Sequence, residues 1–397
     1  MHRVLHINDY PVETGGGAEV VMGATIALLR ARGVVVESFT SADLADTCPS
    51  PLRYINNRRA RQALALKLQA FRPDVVHLHN FYHLLSPGIL TTLAEYKRRD
   101  PLRVVMTAHD YHLVCPNSGG SWFRWWTGTR EAIEPGAKSL VSLLARKWDQ
   151  RGYLHSHLKL AQHTWNYRWH HRQQVIDRVI CPSRFVQDML TPLGLTTCWL
   201  PHPVPPLPTT PPTRQGPLHL VFAGRLEPEK GLNEFLRSWP ADCPATMTII
   251  GAGSERARCQ ETCAAQNLTE RVEFTGRLSH ADTLARIASC HVLVQPSRVL
   301  ETYGLTLIEA LANGTNVLAA NRGAAREIVE ATGVGFLYEP NDPASLAAQL
   351  EAIRQRHQSG MLNRFEIADF LTDRSEKRYI DQLLQIYEPN LSQSLAA

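Results

Sequence analysis

Apolar and polar positions follow two alternating patterns along most of the chain. Short, nearly continuous apolar runs are separated by longer segments in which apolar residues recur at helical spacing. The apolar runs are RVLHI, VVVESF, DVVHLH, RVVMTAH and RVICPS in the first half, then LHLVFAG, ATMTIIGAG, RVEFTG, HVLVQPS, TNVLAA and GVGFLYEP in the second. Runs of this kind are typical of parallel strands buried on both faces. The pattern therefore predicts an α/β protein with two doubly wound, Rossmann-like domains.

One proline-rich stretch divides the two sets of strands. Residues 200–217 read LPHPVPPLPTTPPTRQGP, a proline density that fits neither a helix nor a central strand. We predict an interdomain linker at 201–217, an N-terminal domain at 1–200 and a C-terminal domain at 218–373. Ligands of such sheets bind beyond the carboxyl ends of the strands, so we expect a binding cleft between the domains.

Composition narrows the class of protein. The chain has 397 residues, 44% of them hydrophobic, and a formal net charge of only +5, which by itself does not indicate nucleic-acid binding. The eight cysteines are scattered without a CxxC pair, which argues against a disulfide framework and favours a reducing cytoplasm. We find no signal-peptide pattern and no apolar run near the ~18 residues that span a bilayer. We therefore expect a cytoplasmic protein, at most attached to a membrane surface.

Residues 121–172 depart from this pattern. They hold nine of the arginines and lysines against three acidic residues, and six of the eight tryptophans. We consider three interpretations: helices that pack by their aromatic faces, contact with an anionic membrane, and stacking on sugar rings. Nucleic acid is disfavoured because no nucleic-acid-binding motif accompanies the charge.

Two glycine- or charge-rich turns are candidates for binding phosphate. In LHLVFAGRLEPEKGL, Arg225 follows a strand and Lys230 precedes a helix, so both cations could hold a diphosphate beside the helix N-terminus. In ETGGGAEVV, Gly15, Gly16 and Gly17 would let backbone N–H groups approach a ligand. The alternatives are two surface cations and a flexible tight turn. Neither segment is an ATP-type P-loop.

A third glycine pair is a weaker signal. Gly251 and Gly253 follow a strand, but Arg256 stands where a dinucleotide fingerprint needs its third glycine, so we disfavour a nicotinamide site. His77, His79 and His83 in HLHNFYH could suggest a metal, yet no carboxylate is placed to complete the site. We therefore expect neither a metal nor another cofactor.

Two glutamates stand out in the apolar segment SRVLETYGLTLIEALANG, residues 297–314. We predict a helix that begins near Gly304, with Glu301 in the loop before it and Glu309 in its second turn. Carboxylates accept paired hydrogen bonds from neighbouring hydroxyl groups, and the helix N-terminus between them would offer N–H groups to a phosphate. The alternative is a pair of capping or salt-bridged glutamates.

These motifs, in this order, resemble those of the family 4 glycosyltransferases, which have the GT-B fold. The resemblance rests on ETYGLTLIE, GRLEPEKG, the GGG turn and TAHDYHLVCP, and it covers nearly the whole chain. It implies a retaining transferase that moves a sugar from a nucleotide-sugar, a UDP- or GDP-sugar, to a glycan or lipid-linked glycan in bacterial-type surface polysaccharide synthesis. It also implies that a final helix at 374–390 crosses back to the N-terminal domain. Two features depart from the family pattern. One is the segment LPHPVP, and the other is Asn316, which stands where the family usually has a proline.

The resemblance also implies roles for single residues in the C-terminal domain. Glu309 would hold the ribose hydroxyls and Glu301 those of the transferred sugar, while Arg225 and Lys230 would stabilise the departing diphosphate. The remaining donor contacts there would be the amides of Gly304, Leu305 and Thr306 on the phosphates, and the backbone of Arg277 and Leu278 on the base.

In the N-terminal domain, the resemblance implies that Gly16 and Gly17 close over the phosphates and that His109 lies against the donor sugar. His109 ends a predicted strand, where it could bond a sugar hydroxyl or be an ordinary loop histidine. Two other functions remain open: an epimerase acting on the nucleotide-sugar itself, and an inactive relative that binds or scaffolds a partner. Hydrolysis by the two glutamates is also conceivable.

Overall fold

The computed structural model describes residues 3–44, 50–125, 130–133, 140–204, 214 and 216–388. These residues form two compact units: unit 1 comprises Met1–Pro203 and Glu376–Ala397, and unit 2 comprises Val204–Ser375. Most of the linker predicted at 201–217 lies outside the described residues.

Unit 1 contains a parallel sheet with the order β2-β1-β3-β4-β7-β8 in its described part. A two-stranded antiparallel hairpin, β5-β6, lies in the basic segment. The strands are β1 (Arg3–Ile7), β2 (Val35–Phe39), β3 (Val75–Leu78), β4 (Arg103–Thr107), β5 (Ser121–Phe123), β6 (Arg130–Ala132), β7 (Arg178–Cys181) and β8 (Thr197–Trp199). Each of the five apolar runs predicted here contains one strand, β1, β2, β3, β4 or β7, and RVLHI coincides with β1 over its whole length. The short strand β8 was not predicted.

Helices connect the strands of unit 1. They are α1 (Gly17–Ala31), α2 (Pro51–Ile55), α3 (Arg58–Phe71), α4 (Ile89–Lys97), α5 (Leu140–Leu144), α6 (Tyr153–His163) and α7 (Arg184–Leu190). In α1, Met22, Ile26 and Leu29 recur at helical spacing and are buried in the core. Helix α6 continues into a π-helical turn at Thr164–Trp169. The basic segment is thus a hairpin with helices, and not helices alone.

Unit 2 repeats the doubly wound arrangement with a parallel sheet in the order β11-β10-β9-β12-β13-β14. Its strands are β9 (His219–Ala223), β10 (Thr246–Ile250), β11 (Val272–Gly276), β12 (Val292–Gln295), β13 (Asn316–Ala320) and β14 (Phe336–Tyr338). Leu220 and Phe222 face one core cluster, whereas Val221 between them faces another. Both faces of the sheet are therefore buried, which explains why these strands are continuous apolar runs.

The helices of unit 2 alternate with these strands. They are α8 (Leu232–Arg237), α9 (Arg256–Ala265), α10 (His280–Ser289), α11 (Leu305–Ala312), α12 (Gly323–Thr332), α13 (Pro343–Gln358) and α14 (Ala368–Thr372). Leu307, Ile308 and Leu311 of α11 are buried, as the sequence pattern predicts. No helix in the described part of either unit is long and apolar enough to span a bilayer.

The last helix, α15 (Glu376–Tyr387), belongs to unit 1. Tyr379, Leu383 and Tyr387 are buried in the same core cluster as residues of β1 and α1. The hydroxyl groups of Tyr379 and Thr25 lie 2.9 Å apart, and the Arg32 guanidinium lies 2.6 Å from the Asp381 carboxylate. Unit 1 is therefore built from both ends of the described chain.

Candidate functional site

The first candidate cluster lies where β9 and β12 of unit 2 end. A single 3₁₀ turn, Pro228–Lys230, follows β9 and precedes α8, and Glu301 lies in the loop after β12. Lys230 Nζ lies 2.8 Å from Glu301 Oε1, and the Ser297 hydroxyl donates to the same oxygen at 2.5 Å. The structure thus joins two of the predicted site residues in one ion pair.

The electrostatics of the cluster keep Glu301 ionised. Burial raises the pKa of the Glu301 carboxyl, but Lys230 and Ser297, with Arg225 further off, outweigh burial and leave this pKa below its ordinary value. The Glu301 side chain is 17% exposed and that of Lys230 25% exposed. A half-buried carboxylate of this kind can accept hydrogen bonds from hydroxyl groups while it holds a cation.

Arg225 is the exposed member of the cluster. Its side chain is 68% exposed, and its guanidinium contacts Glu229 at 3.1 Å. An exposed ion pair between residues four apart contributes little to stability, so a bound anion could displace it at low cost. Arg225 and Lys230 therefore provide two positive charges near Glu301, one exposed and one partly buried.

Close backbone packing holds the Lys230 turn in place. Gly231 has φ of +68°, and a Cβ atom at this position would lie 2.1 Å from the Pro296 carbonyl oxygen. Only glycine fits such an approach with this backbone conformation. The turn after β9 and the loop after β12 are consequently locked together, which fixes the distance between Lys230 and Glu301.

The second candidate cluster surrounds α11. Gly304 precedes this helix, so the amides of Leu305 and Thr306 belong to the first turn, where N–H groups lack intrahelical acceptors. Glu309 in the second turn is 19% exposed, and its Oε1 lies 3.7 Å from His280 Nε2. Burial raises the pKa of the Glu309 carboxyl to about 7. Glu309 is therefore partly protonated near neutral pH, unlike Glu301.

Arg277 and Leu278 lie between β11 and α10. Leu278 is 39% exposed, and the next residue, Ser279, caps α10 by accepting from the Asp282 amide at 3.1 Å. Since His280 at the start of α10 approaches Glu309, the segment from Arg277 to His280 lies on the same side of unit 2 as α11.

The glycine pair after β10 has a structural explanation. Gly251 has φ of +137°, and a Cβ atom there would lie 1.9 Å from the Gly224 carbonyl oxygen. A Cβ atom on Gly253 would lie 2.3 Å from the Leu226 carbonyl oxygen. These glycines are needed because the loops after β9 and β10 touch. They give no support to a dinucleotide site.

We expect Gly251→Ala to lower the free energy of unfolding by more than ~2 kcal/mol, because the new methyl group clashes with rigid backbone. Gly360→Ala is the matched control: its φ is also positive, at +68°, but its Cβ would meet nothing within 4 Å. Urea unfolding followed by circular dichroism compares the two variants. Equal losses of stability would contradict the close-packing explanation.

In unit 1, Gly16 and Gly17 lie at the start of α1, directly after a turn that follows β1. A Cβ atom on Gly16 would lie 2.2 Å from a carboxylate oxygen of Glu19. Glu19 is buried and accepts from the Asn8 side-chain amide at 2.8 Å. Glu19 was not predicted as a site residue, although it stands only three positions after Gly16.

His109, itself partly exposed, belongs to a cluster of otherwise buried histidines that the sequence showed only in part. His79 Nδ1 lies 2.8 Å from His109 Nε2, and the ring of His202 lies 5.3 Å from that of His109. The full cluster is His6, His77, His79, His109 and His202. His6 and His202 were missed because each is a lone histidine in its segment, whereas the predicted His83 lies apart, against Tyr82.

The cluster has the composition and spacing of a metal site, but most of its ring nitrogens are already engaged in hydrogen bonds. Ring nitrogens of His6, His77 and His79 lie within 4.8 Å of one another. Both nitrogens of His77 already have partners, Tyr387 and Thr107, each at 2.7 Å. His79 likewise uses both nitrogens, one on His6 and one on His109. The described residues therefore favour a hydrogen-bonded network over a metal centre.

A second polar network follows β4. The Tyr82 hydroxyl donates to Asp110, and His112 Nδ1 lies 2.7 Å from the other carboxylate oxygen. Burial raises the pKa of Asp110, but His112 and Tyr82 outweigh it and hold the pKa below its ordinary value. Asp110 and His112 belong to the segment TAHDYHLVCP, but neither was predicted as a site residue.

The basic segment is partly packed and partly exposed. Trp148 is buried, and the Arg146 guanidinium lies 4.9 Å from the Trp122 ring centre. By contrast, several large apolar side chains of the segment are exposed. With their exposed fractions, they include Val141 (77%), Leu144 (52%), Tyr153 (63%), Leu154 (80%) and Trp169 (64%). The packing interpretation therefore accounts for only part of this segment.

Comparison with protein families gives two matches that together span most of the chain. Residues 15–205 match the model described as Glycosyltransferase Family 4, and residues 209–364 match that described as Glycosyl transferases group 1. A glycogen synthase from Mycobacterium tuberculosis is 31% identical over 144 residues, 35% of this chain and 34% of that protein. A phosphatidyl-myo-inositol mannosyltransferase from Mycobacterium leprae is 33% identical over 139 residues, 34% and 36% of the two chains. Each match spans about a third of the relative.

Solved structures match over nearly the full length. Sucrose-phosphate synthase from Thermosynechococcus elongatus has a TM-score of 0.68 at 17% identity, and 98% of each chain is covered. HepE from Anabaena, in complex with UDP-glucose, has a TM-score of 0.63 at 17% identity, covering 97% of this chain and 99% of that one. This likeness establishes the fold, which is the predicted GT-B class with two Rossmann-like domains.

Proposed function

Because the chain belongs to the family 4 glycosyltransferases, we propose that it transfers a sugar from a UDP- or GDP-sugar to a hydroxyl group of a glycan or lipid-linked glycan. The reaction would retain the configuration at the anomeric carbon and serve surface polysaccharide synthesis. The observation that carries the proposal is the Lys230–Glu301 ion pair, with Arg225 beside it, at the carboxyl ends of β9 and β12.

Unit 2 has the charges that a departing diphosphate needs. Negative charge accumulates on the diphosphate as its bond to the anomeric carbon breaks, and preorganised cations stabilise that charge. Lys230 is fixed by Glu301, and Arg225 is exposed and able to reach a ligand. The N-terminus of α11 would add the amides of Gly304, Leu305 and Thr306.

The two glutamates fit two kinds of hydroxyl contact. Glu301 is ionised beside Lys230, so in the proposed complex it accepts from hydroxyls of the transferred sugar. Glu309 lies on α11 and accepts from the ribose hydroxyls, with Arg277 and Leu278 near the base. Among the similar proteins, one is described as a GDP-mannose-dependent mannosyltransferase and one is in complex with UDP-glucose, which supports a nucleotide-sugar donor here.

We expect one nucleoside diphosphate to raise the melting temperature of the protein. A ligand at about 100 times its dissociation constant adds ~2.7 kcal/mol to the free energy of unfolding. The measurement is thermal unfolding with UDP, GDP, ADP, CDP and NAD, each with and without a chelator. The shift should survive chelation and be lost in Glu309→Ala. Stabilisation by NAD alone, or by none of the five, would contradict the proposed donor.

The exposed apolar side chains of the basic segment support a further part of the proposal, contact with an anionic membrane that carries the acceptor. Tyr153 and Leu154 begin α6 and are exposed, and Trp125 stacks on Tyr153 with ring centres 4.1 Å apart. Lys147 lies over Trp125, so a cation stands beside the aromatic pair. The acid in residues 140–172, Asp149, is buried and paired with Arg151 and Lys159. Exposed aromatic and apolar groups beside cations suit a lipid interface.

We expect Leu154→Glu to weaken binding to vesicles that contain anionic lipid, because it places a charge where an apolar side chain would enter the interface. Leu66→Glu is the control: Leu66 is 68% exposed on α3, outside the basic segment. Vesicle co-sedimentation measures both variants. If Leu154→Glu binds as well as the unaltered protein, the segment has no membrane role.

A further inference from the structure

An exposed histidine lies beside Glu309 in unit 2. His280 is the first residue of α10, and its Nε2 lies 3.7 Å from Glu309 Oε1. The His280 side chain is 59% exposed, whereas that of Glu309 is 19% exposed. A separation of 3.7 Å is too long for a hydrogen bond, so neither atom is satisfied by the other. The two side chains thus leave a small polar gap where α10 meets α11.

The Glu309 carboxylate is mostly buried without the hydrogen bonds that usually accompany such a group. Burial alone raises its pKa to about 7, because no hydrogen bond or cation from the described residues acts to lower it. Glu301 is the contrast: burial raises its pKa too, but Lys230 and Ser297 contact its carboxylate and outweigh burial. Since buried polar groups are normally satisfied, the Glu309 oxygens are open to hydrogen-bond donors from a ligand.

Both sides of the gap are anchored. The Ser279 hydroxyl accepts from the Asp282 amide at 3.1 Å and donates to the Asp282 carboxylate at 2.6 Å. This cap fixes the first turn of α10, which includes His280. On the other side, Ile308 is buried in the core beside Glu309 and holds α11 in place. The gap is therefore built by two fixed helices and exists before any ligand binds.

We infer that His280 is a second ribose-binding residue, and that one ribose hydroxyl of the nucleotide donates to Glu309 Oε1 and accepts from His280 Nε2. The inference rests on the proposed function, which assigns the ribose to Glu309. A hydroxyl group has one proton to donate and lone pairs that accept, so it fits between an acceptor and a donor. An oxygen ~2.8 Å from each atom spans the 3.7 Å separation at an angle of ~80°. A small rotation of the exposed imidazole widens that angle.

This arrangement selects for ribonucleotides. The shared hydroxyl satisfies Glu309 and His280 at once, and the neighbouring hydroxyl of the ribose is left to donate to the second oxygen of Glu309. A nucleotide without the shared hydroxyl leaves the mostly buried carboxylate without that donor. Sites built to bond a hydroxyl group discriminate strongly against ligands that lack it. We expect one of the two deoxy forms, 2′ or 3′, to bind at least about 10-fold more weakly than the ribonucleotide.

Titration calorimetry tests the inference with UDP and GDP and with the 2′-deoxy and 3′-deoxy forms of each. With the base that binds more tightly, His280→Ala should weaken binding of the ribonucleotide by about 10-fold. The same substitution should have little effect on the deoxy form that already lacks the shared hydroxyl. This double-mutant cycle isolates the contact between His280 and that hydroxyl. His280→Gln, whose side-chain amide donates in place of Nε2, should restore most of the affinity.

His157→Ala is the control, because His157 is also an exposed helical histidine but lies in unit 1. It should leave the affinity for every form unchanged. Equal losses in His280→Ala for the ribonucleotide and both deoxy forms would overturn the inference, since the ring would then act through charge or packing. If UDP or GDP binds and His280→Ala changes nothing, this inference alone is wrong. If neither binds, the proposed donor is wrong and the inference falls with it.

Discussion

Lys230→Ala is expected to lower kcat for sugar transfer by ~10²–10³-fold, the usual cost of removing one contact that stabilises developing charge. The physical reason is the place of Lys230 at the end of β9, paired with Glu301 at 2.8 Å. Removing the ammonium leaves the diphosphate with one cation fewer and takes the Lys230 charge away from Glu301. Arg225→Ala should act in the same direction, because the exposed guanidinium is the second charge available there.

Matched variants test whether this loss is specific to the site. Lys97→Ala breaks an ion pair of similar exposure with Asp177, in unit 1. Arg326→Ala removes a guanidinium that, like Arg225, is exposed and pairs with a glutamate four residues on. Both controls should leave kcat within about twofold of the unaltered protein. A similarly small effect of Lys230→Ala, measured with an accepted donor, would remove the diphosphate assignment.

Acid should destabilise the protein steeply below about pH 6. Burial lowers the pKa of all five clustered histidines from the ordinary 6.5, to about 3 for His6 and about 4 for His109. Between pH 6.5 and 4 the unfolded chain therefore binds more protons than the folded one, and stability falls as the pH falls. Each histidine contributes up to about 1.4 kcal/mol per pH unit in that window. All five histidines act in the same direction, so their effects on stability add.

Urea unfolding followed by circular dichroism at pH 7, 6 and 5 measures this loss. The Glu309 carboxyl, whose pKa is raised to about 7, acts in the opposite direction, but it is one group against five. The slope of the free energy of unfolding against pH reports how many more protons the unfolded state binds than the folded state. His202→Asn should lower that number by about one. Equal stability at pH 7 and pH 5 would mean that the histidines are not buried as neutral rings.

Much of the fold could be predicted because its signals are local. A parallel strand buried on both faces needs an unbroken apolar run, and a residue directly after such a strand has to lie at the carboxyl edge of the sheet. This placed Arg225 after β9 and His109 after β4, and it placed Gly304 before α11. The strand β8 was missed because three residues, Thr197–Trp199, carry too short a pattern.

The sequence by itself determined the two α/β domains, most of their parallel strands and the loops that carry the candidate site. Only the tertiary structure decided which side chains meet: Lys230 with Glu301, 71 positions apart, His6 with His79 and His109, and the Gly251 backbone with that of Gly224. It also decided that Glu309 is buried enough for its pKa to rise. Periodicity records which face of a strand or helix is apolar. Partners across strands depend on strand order and on the packing of loops, which no local pattern encodes.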